Sequence, residues 1–386
     1  KAGEESPLPA QGVRANLQLA QLDADAWSAL LAPPAASAAS GQRASLGQLS
    51  AQDYLPTTVA LRVGALTVQG RTLNQVVAGG SREQGLWRAN FDTQESSGYV
   101  EYRPAETNRG AGRLYARLAR LHLPPSEVSE VEALLDERPG SIPALDIVVD
   151  DFELRGRALG RLEIEAYHRG KEGPLREWQL AKLNLAVPEA TLSGSGVWAL
   201  PPPVPGRASV GQAAQKHTQL DFRLDIRDAG ALLARFGMDK VIARGKGRLE
   251  GDIAWAAPPT SPDYRSMQGQ LHLDVASGQF LKADPGLAKL LGVLSLQSLP
   301  RRLTLDFRDV FSEGFSFDFV RGDVRVERGV AFTNNLQMKG VNAAVLMEGQ
   351  ADIQQETQSL HVVVVPEVNA MTASLVATAI NPVIGL

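Results

Sequence analysis

The amino-acid sequence predicts a mainly β fold of antiparallel β-meanders with a few short helices. Apolar and polar residues alternate with a period of two in many short runs, as at 315–319 and 323–327, which is typical of strands that bury one face. Glycines separate these runs at the spacing of a hairpin meander, and one block of strands recurs along the chain. On these observations alone, a closed barrel, a sandwich and a groove filled by an apolar ligand all stay open, because each would cover the apolar strand faces.

The composition of the 386 residues excludes several classes of protein. Hydrophobic residues make up 44% and charged residues 21%, with 36 glycines and 23 prolines, which rules out a disordered chain, a collagen and a coiled coil. The net charge of −4 does not support a nucleic-acid-binding surface. The chain has no cysteine, so disulfide frameworks, thiolate zinc sites and cysteine nucleophiles are excluded. Because the chain opens on Lys1 without a signal peptide, we expect it to be a segment of a longer protein.

The internal repeat relates residues 55–102 to residues 142–198. The strand positions match with a common offset of 86 residues, and the matched pairs include Leu61 with Ile147 and Val63 with Val149. The alternation slips by one position after Val63 and again after Val149, which predicts a β-bulge at the same place in both copies. We therefore predict that these four apolar residues lie on the same face of one sheet.

Aromatic residues extend the repeat beyond this first hairpin. Trp87 matches Trp178 at an offset of 91, and Tyr102 matches Trp198 at an offset of 96. The growing offset indicates a longer hairpin loop in the second copy.

Short helices are predicted at a few places between the strands. Residues 17–31 and 220–233 share a pattern in which a strand is followed by an acidic residue, Asp23 or Asp25 in the first and Asp228 in the second, placed to cap a short helix. A further helix is expected at 285–299. The segments predicted along the chain are 1–53 (strand, short helix and an Ala- and Ser-rich loop), 54–123 (first meander), 124–140 (acidic connecting helix), 141–199 (second meander), 200–216 (Pro-rich loop), 217–366 (a β segment with two short helices) and 367–386 (an apolar helix).

Motifs that carry chemistry are not apparent. No two of the five histidines stand at the spacing of a metal site on a helix, and the glycine-rich run at 245–251 lacks the features of a phosphate loop. Asp306 and Asp318 fit the solvated face of two strands better than a catalytic pair. We expect no catalytic residue, no metal and no cofactor.

Four blocks between residues 220 and 365 resemble the AsmA-like family of Gram-negative envelope proteins. They lie at 224–237, at 244–255, at 278–281 together with 286–311, and from 329 to the Val-Val-Val-Val-Pro run at 362–366, and the run Leu-Pro-Arg-Arg-Leu-Thr-Leu-Asp-Phe at 299–307 is the most specific part. The repeat region at 55–198 resembles the preceding part of the same family less distinctively.

The resemblance implies a long, curved antiparallel sheet that is open along one side and lined by apolar residues. Such proteins are bridges along which phospholipids pass between the inner and outer membranes, with the parent protein in the periplasm and anchored in the inner membrane. The expected partners are phospholipids and the membranes at the ends of the parent protein. An assembly scaffold that acts by strand pairing is the alternative, and an enzyme acting on envelope lipids or glycans is a more remote one.

The resemblance implies that the groove runs along both the repeat region and the segment at 217–366. The residues expected to line it are Leu61, Val63, Ile147, Val149, Leu249, Ile253, Trp255, Leu271, Leu273, Leu303, Leu305, Phe307, Phe315, Phe317, Phe319, Val324 and Val326. For the uncharged stretch at 368–386, a helix packed over the groove mouth and a helix that touches a membrane both stay open.

Overall fold

The computed structural model describes residues 12–31, 56–68, 70–105, 111–124, 142–169, 177–199, 217–259, 261–281, 316–340 and 343–366. Within them the chain forms seventeen β-strands and two short α-helices, which confirms the mainly β fold predicted from the alternation. The described residues divide into two compact units, which we call unit 1 (up to Tyr167) and unit 2 (from His168). The predictions for 124–140, 200–216, 285–299 and 367–386 fall wholly or almost wholly outside the described residues.

Unit 1 is a ladder of eight strands in which each strand pairs with the next one along the chain. Its elements are β1 (Arg14–Asp23), α1 (Ala24–Leu31), β2 (Thr58–Val68), β3 (Arg71–Glu83), β4 (Leu86–Asp92), β5 (Ser96–Arg103), β6 (Arg113–Leu123), β7 (Ala144–Leu154) and β8 (Arg157–Arg169).

Two of the pairings in unit 1 are parallel, where the sequence predicted antiparallel neighbours. β1 pairs with β2 and β6 pairs with β7 in parallel, and the other pairings are antiparallel. Parallel neighbours need a long crossover, and both of these pairs are joined by long connections, from Asp23 to Thr58 and from Leu123 to Ala144.

Unit 2 is an antiparallel ladder of nine strands, again in chain order. Its elements are β9 (Glu177–Val187), β10 (Ala190–Ala199), β11 (His217–Ile226), α2 (Ala229–Arg235), β12 (Ile242–Trp255), a 3-10 turn (Tyr264–Ser266), β13 (Gln268–Phe280), β14 (Ser316–Glu327), β15 (Val330–Gly340), β16 (Ala343–Asp352) and β17 (Thr357–Pro366).

The strand register confirms that the four repeat residues share one face of the unit 1 sheet. Residues directly opposite each other on paired strands lie on the same face. From Leu61 the register leads through Ala78, Phe91, Gly98 and Leu118 to Val149. Val63 and Ile147 are two residues away from Leu61 and Val149 on their strands and so lie on that face too.

The predicted bulge is found in the second copy only. The register of β7 against β8 shifts between Val149 and Phe152. The register of β2 against β3 is the same on both sides of Gly64, and the opposing residue Gln75 takes a left-handed conformation with φ of 54°. The first copy therefore absorbs the irregularity in the backbone of β3 without a shift in pairing.

The two strand–helix pairs follow the pattern expected from the sequence. The Asp23 carboxylate accepts hydrogen bonds from the N–H groups of Asp25 and Ala26, at 3.0 and 2.9 Å. The Asp228 carboxylate accepts one from the N–H of Ala231, at 2.9 Å. These carboxylates satisfy N–H groups in the first turns of α1 and α2, which have no partner within the helix.

Candidate functional site

The apolar face of unit 2 is a set of side-chain rows that cross the strands. One row consists of a leucine from each of five successive strands, and we call it the leucine row: Leu185, Leu192, Leu224, Leu249 and Leu273. On the following strands the row continues through Gly322, Leu336, Met347 and Val362. Alternation along each strand thus produces one apolar face that extends over all nine strands of the unit.

One end of these strands carries a second row, which we call the tryptophan row: Trp178, Trp198, Thr218 and Trp255. Its four side chains are 8%, 1%, 4% and 7% exposed. Thr218 donates a hydrogen bond to the carbonyl of Ala257 at 2.6 Å, and the indole of Trp255 donates one to the carbonyl of Pro258 at 2.9 Å. The row is therefore a packed border and not an accessible surface.

The opposite end of the strands is also closed by packing. A buried cluster there contains Val275, Phe317, Met338, Ala343 and Val345. Between this cluster and the tryptophan row, the side chains of the leucine row are only half-buried, as are Leu220, Phe222, Ile253 and Leu271 beside it. The middle of the apolar face is thus accessible while its two borders are buried.

Glycines alternate with large apolar residues in the row next to the leucine row. Gly194 and Gly251 lie on either side of Phe222, and Leu271 follows Gly251. A Cβ atom at Gly251 would stand 2.0 Å from the carbonyl oxygen of Gln270. Backbone approach this close excludes any side chain, so this position requires glycine.

Helix α2 lies against the start of β12, close to the buried cluster. A Cβ atom at Gly245 would lie 3.1 Å from the Ala229 side chain, which shows how closely the helix approaches the strand. The Arg235 guanidinium donates two hydrogen bonds to the Glu189 carboxylate, at 2.9 and 2.7 Å, and this ion pair ties the helix to the β9–β10 turn. These hydrogen bonds lower the pKa of Glu189.

The other face of unit 2 is polar over most of its area. Asp225 pairs with Arg223 at 3.0 Å and with Arg248 at 2.9 Å, and the two arginines lower the pKa of Asp225. His272 lies 2.7 Å from Asp323, whose second carboxylate oxygen accepts a hydrogen bond from Asn335 at 2.6 Å. The hydrogen bond with His272 and, to a smaller extent, the one from Asn335 lower the pKa of Asp323. This face is therefore a polar surface that carries ion pairs between neighbouring strands.

Comparison with known proteins identifies the family. The family model of the YhdP protein matches residues 1–386. The chain belongs to the YhdP family. The resemblance carried by the blocks at 224–237 and 299–307 is thereby confirmed.

One protein to which this chain is similar is the intermembrane phospholipid transporter YhdP of Escherichia coli strain K12. The two are 30% identical over 177 residues, which cover 46% of this chain and 14% of the relative. The aligned region therefore spans about a seventh of that protein. No solved structure matches the chain.

The predicted groove residues of this YhdP-family chain do not share one environment in the structure. In the accessible middle of unit 2 lie five of them: Leu249, Ile253, Leu271, Leu273 and Val324. Trp255 and Phe317 are buried in the two borders, and Val326 is buried in the row of Ile253. Val63 and Val149 are buried in unit 1, where Leu61 and Ile147 are half-buried. Leu303, Leu305, Phe307 and Phe315 lie outside the described residues.

Phe319 lies on the polar face, contrary to the alternation at 315–319. The pairing of β14 with β15 is irregular between Phe317 and Phe319, so that Val320 takes the place on the apolar face opposite Val275. The guanidinium of Arg321 stacks 4.0 Å from the centre of the Phe319 ring. A bulge reverses the alternation here, and Phe319 is left out of the proposed lining.

Sequence reasoning missed several residues of the accessible middle. They belong to β9, β10 and β11, and they are Leu180, Leu183, Leu185, Leu192, Leu220, Phe222 and Leu224. The period-two alternation at 220–226 carried the signal for the last three. Sequence reasoning also missed three histidine–carboxylate pairs between adjacent strands, because partners on different strands have no characteristic spacing in the sequence. The pairs are His122–Asp151, His272–Asp323 and His361–Glu348.

The residues that the structure describes contain no group of three or more histidine, aspartate or glutamate side chains that could hold a metal ion. Neither do they contain a helix with the length and apolar character needed to cross a membrane.

Proposed function

We propose that the apolar face of unit 2 binds the acyl chains of phospholipids, and that this chain forms part of a bridge-like conduit between the inner and outer membranes. The observation that supports this function is the accessible middle of that face. The leucine row and its neighbours are half-buried between two buried borders, the tryptophan row and the cluster around Phe317. A soluble domain usually keeps contiguous accessible apolar surface of this kind for a ligand or a partner.

The energetics suit acyl chains. Each methylene that leaves water for an apolar surface contributes about 0.8 kcal/mol, so a long acyl chain gains several kcal/mol from even partial coverage by the leucine row. A charged head group has no matching site among these side chains and stays in water at the open side. Transfer of this kind is non-enzymatic, and the direction of transport comes from elsewhere in the parent protein or the membranes.

The relative in Escherichia coli supports the same class of substrate, because its name describes an intermembrane phospholipid transporter. By the same reasoning we place this chain in the periplasm, within a parent protein held in the inner membrane. Since the aligned region covers 14% of that relative, the groove that we propose is one part of a longer path between the membranes.

Site-specific photo-crosslinking tests the lipid-binding face. A photoreactive phenylalanine analogue replaces Phe222 or Leu271 on the apolar face, and matched controls carry it at Arg223 or His272, the next residues along the same strands. We expect phospholipid adducts from the first pair after illumination with phospholipid vesicles, and none from the second pair. Equal adducts from both faces would contradict the proposal.

A scaffold that acts by strand pairing is a second candidate, which the end strands of the two ladders favour. β1 is the first strand of unit 1 and β17 the last of unit 2, and strands at such positions can add a further strand from another chain. A scaffold would give protein crosslinks from probes on β1 or β17 and no lipid adducts from Phe222. The same photoreactive series therefore separates the two functions.

A further inference from the structure

Two arginines lie directly opposite each other at one end of the unit 1 sheet. Arg103 is the last residue of β5, Arg113 is the first residue of β6, and the two are paired in the antiparallel register. Gly98 lies on the apolar face, so Arg103, five residues further along the same strand, lies on the other face, which we call the polar face of unit 1. Arg113 shares that face, because directly opposite residues do. Both arginines are exposed, and we call them the arginine pair.

The arginine pair has no carboxylate partner among the residues that the structure describes. Two other arginines of the same face are balanced by neighbours. Arg117 lies 2.7 Å from Asp146, and Arg88 lies 3.4 Å from Glu83 and 3.5 Å from Glu101. Like charges that lie directly opposite each other on neighbouring strands are destabilising. An anion between the two guanidinium groups of the pair would remove this repulsion.

The backbone that carries the arginine pair is held by contacts on both sides. Gly112, with φ of 84°, lies so close to β5 that a Cβ atom there would stand 2.2 Å from the carbonyl oxygen of Arg103. The Tyr102 hydroxyl donates a hydrogen bond to the carbonyl of Ala111 at 3.1 Å, and the N–H of Ala144 donates one to the carbonyl of Gly112 at 2.9 Å. The ends of the two strands are therefore fixed, which lowers the entropic cost of binding a ligand at the pair.

The arginine pair also borders a depression of about 850 Å³ at the end of the strands. Arg103 forms one of its walls, and the turn at 83–86, Arg88, Pro104 and Ala105 form the others. Sites for small molecules in proteins have volumes of about 300–1,000 Å³. An anion at the pair thus has room beside it for the molecule that carries it.

We propose that the arginine pair binds a phosphate group. A guanidinium donates two parallel hydrogen bonds to phosphate oxygens, which makes arginine the preferred residue for recognising this anion. A phosphate monoester carries a charge of about −1.5 to −2 at pH 7 and three acceptor oxygens, so it balances two guanidinium groups better than a carboxylate does. The phosphate belongs either to a lipid head group or to a soluble compound. The inference does not depend on lipid binding at the apolar face of unit 2.

Isothermal titration calorimetry with inorganic phosphate, at constant ionic strength, tests the site in the full chain. We expect Arg103→Gln and Arg113→Gln each to weaken phosphate binding several-fold. Arg62→Gln is the matched control, because Arg62 is an exposed arginine of the same face, three strands away on β2. It should bind phosphate as the parent chain does. Absence of binding by the parent chain and by phosphatidic acid vesicles, or equal weakening in all three variants, would overturn the proposal.

A charge reversal gives a second readout that does not require a change in affinity. Arg113→Glu places a carboxylate directly opposite Arg103, so the repulsion becomes an attraction. We expect this variant to unfold at a higher temperature than the parent chain when phosphate is absent. Phosphate should raise the unfolding temperature of the parent chain and leave that of Arg113→Glu unchanged. An equal shift by phosphate in both chains would contradict a site at the arginine pair.

Vesicle flotation identifies the carrier of the phosphate. The measured quantity is the additional flotation of the chain when phosphatidic acid, whose head group is a bare phosphate, is added to phosphatidylcholine vesicles. Loss of this additional flotation in Arg103→Gln and Arg113→Gln, but not in Arg62→Gln, would assign the site to a lipid head group. Calorimetric binding of inorganic phosphate without additional flotation would assign it to a soluble phosphate compound. Additional flotation that all three variants lose equally would show attraction by net charge alone and would overturn the proposal.

Discussion

The apolar faces of the two units arise from the same alternation of residues, but they differ in accessibility. In unit 1 three residues within the face are buried, with Val63 at 2%, Val149 at 0% and Leu118 at 8% exposure, while Leu61, Ala78 and Phe91 on the same face are half-buried. In unit 2 the corresponding middle positions, such as Leu249 and Leu271, are half-buried, and the most deeply buried residues lie at the strand ends. Unit 1 therefore buries part of the middle of its apolar face, whereas unit 2 packs the borders and leaves the middle accessible.

The apolar faces of the two units also differ in the size of their side chains. The row of unit 1 that joins Leu61 to Val149 includes Ala78 and Gly98, whereas the leucine row of unit 2 has five leucines on five successive strands. Period-two alternation shows which face is apolar, and accessibility then distinguishes a core from a binding surface. The comparison predicts that equal substitutions will affect folding in unit 1 and ligand binding in unit 2.

The largest difference is expected from a charge placed on each face. Val149→Asp buries a carboxylate with no partner and should destabilise unit 1 by about 4 kcal/mol or more. Leu271→Asp places the same group at a half-exposed position where water can reach it, so its effect should be much smaller. Limited proteolysis and thermal unfolding compare the two variants. If both unfold the chain equally, the accessible middle of unit 2 is a core.

The matched aromatic pairs of the two repeat copies offer a second comparison. Trp178 lies opposite Trp198, just as Trp87 lies opposite Tyr102. Trp198 is 1% exposed, whereas Trp87 is half-buried. We expect Trp198→Ala to lower the free energy of unfolding by about 3–5 kcal/mol and Trp87→Ala to lower it by clearly less. Denaturant unfolding followed by circular dichroism measures both losses of free energy. Similar losses would show that the two aromatic pairs are packed equally well.

Substitution inside the leucine row should separate binding from stability. Leu249→Gln replaces an apolar side chain with a polar amide at a half-buried position that water can reach, so we expect less than about 2 kcal/mol of destabilisation. We also expect a marked loss of phospholipid that co-purifies with the chain, as measured by mass spectrometry. Glu250→Gln, the next residue on the polar face, should retain the lipid. Full lipid retention by Leu249→Gln would argue against the leucine row as the binding surface.

Much of this fold could be predicted from the sequence, because alternation and repeats are local signals. The shared face of Leu61 and Val149 and the two capped helices followed from them. The parallel pairs did not, since strand direction depends on where a long connection returns. Phe319 was assigned to the wrong face because one bulge reverses the alternation. The buried borders of unit 2 depend on contacts between strands distant in sequence, which no local pattern records.

The smallest predicted effect on stability comes from the contact that attaches the short helix of each unit to a turn between strands. In unit 1 the Asp25 carboxylate accepts a hydrogen bond from the N–H of Gly70 at 2.7 Å, whereas in unit 2 the Arg235–Glu189 ion pair holds α2 to the β9–β10 turn. Arg235 lowers the pKa of Glu189 from its ordinary value of 4.5. Protons therefore bind more tightly to Glu189 in the unfolded chain, so the pair stabilises unit 2 above pH 4.5 and this contribution is lost as the pH falls through the lowered pKa.

The contribution should be about 1 kcal/mol, because the two side chains are 16% and 23% exposed and water screens them in part. Glu189→Gln should lower the stability of the chain at pH 7 by about that amount and have less effect at an acidic pH below the lowered pKa of Glu189, where the carboxylate of the parent chain is protonated. Hydrogen exchange of the α2 amides at the two pH values measures the effect locally. An equal loss of protection at both pH values would mean that Glu189 acts through packing and not through its charge.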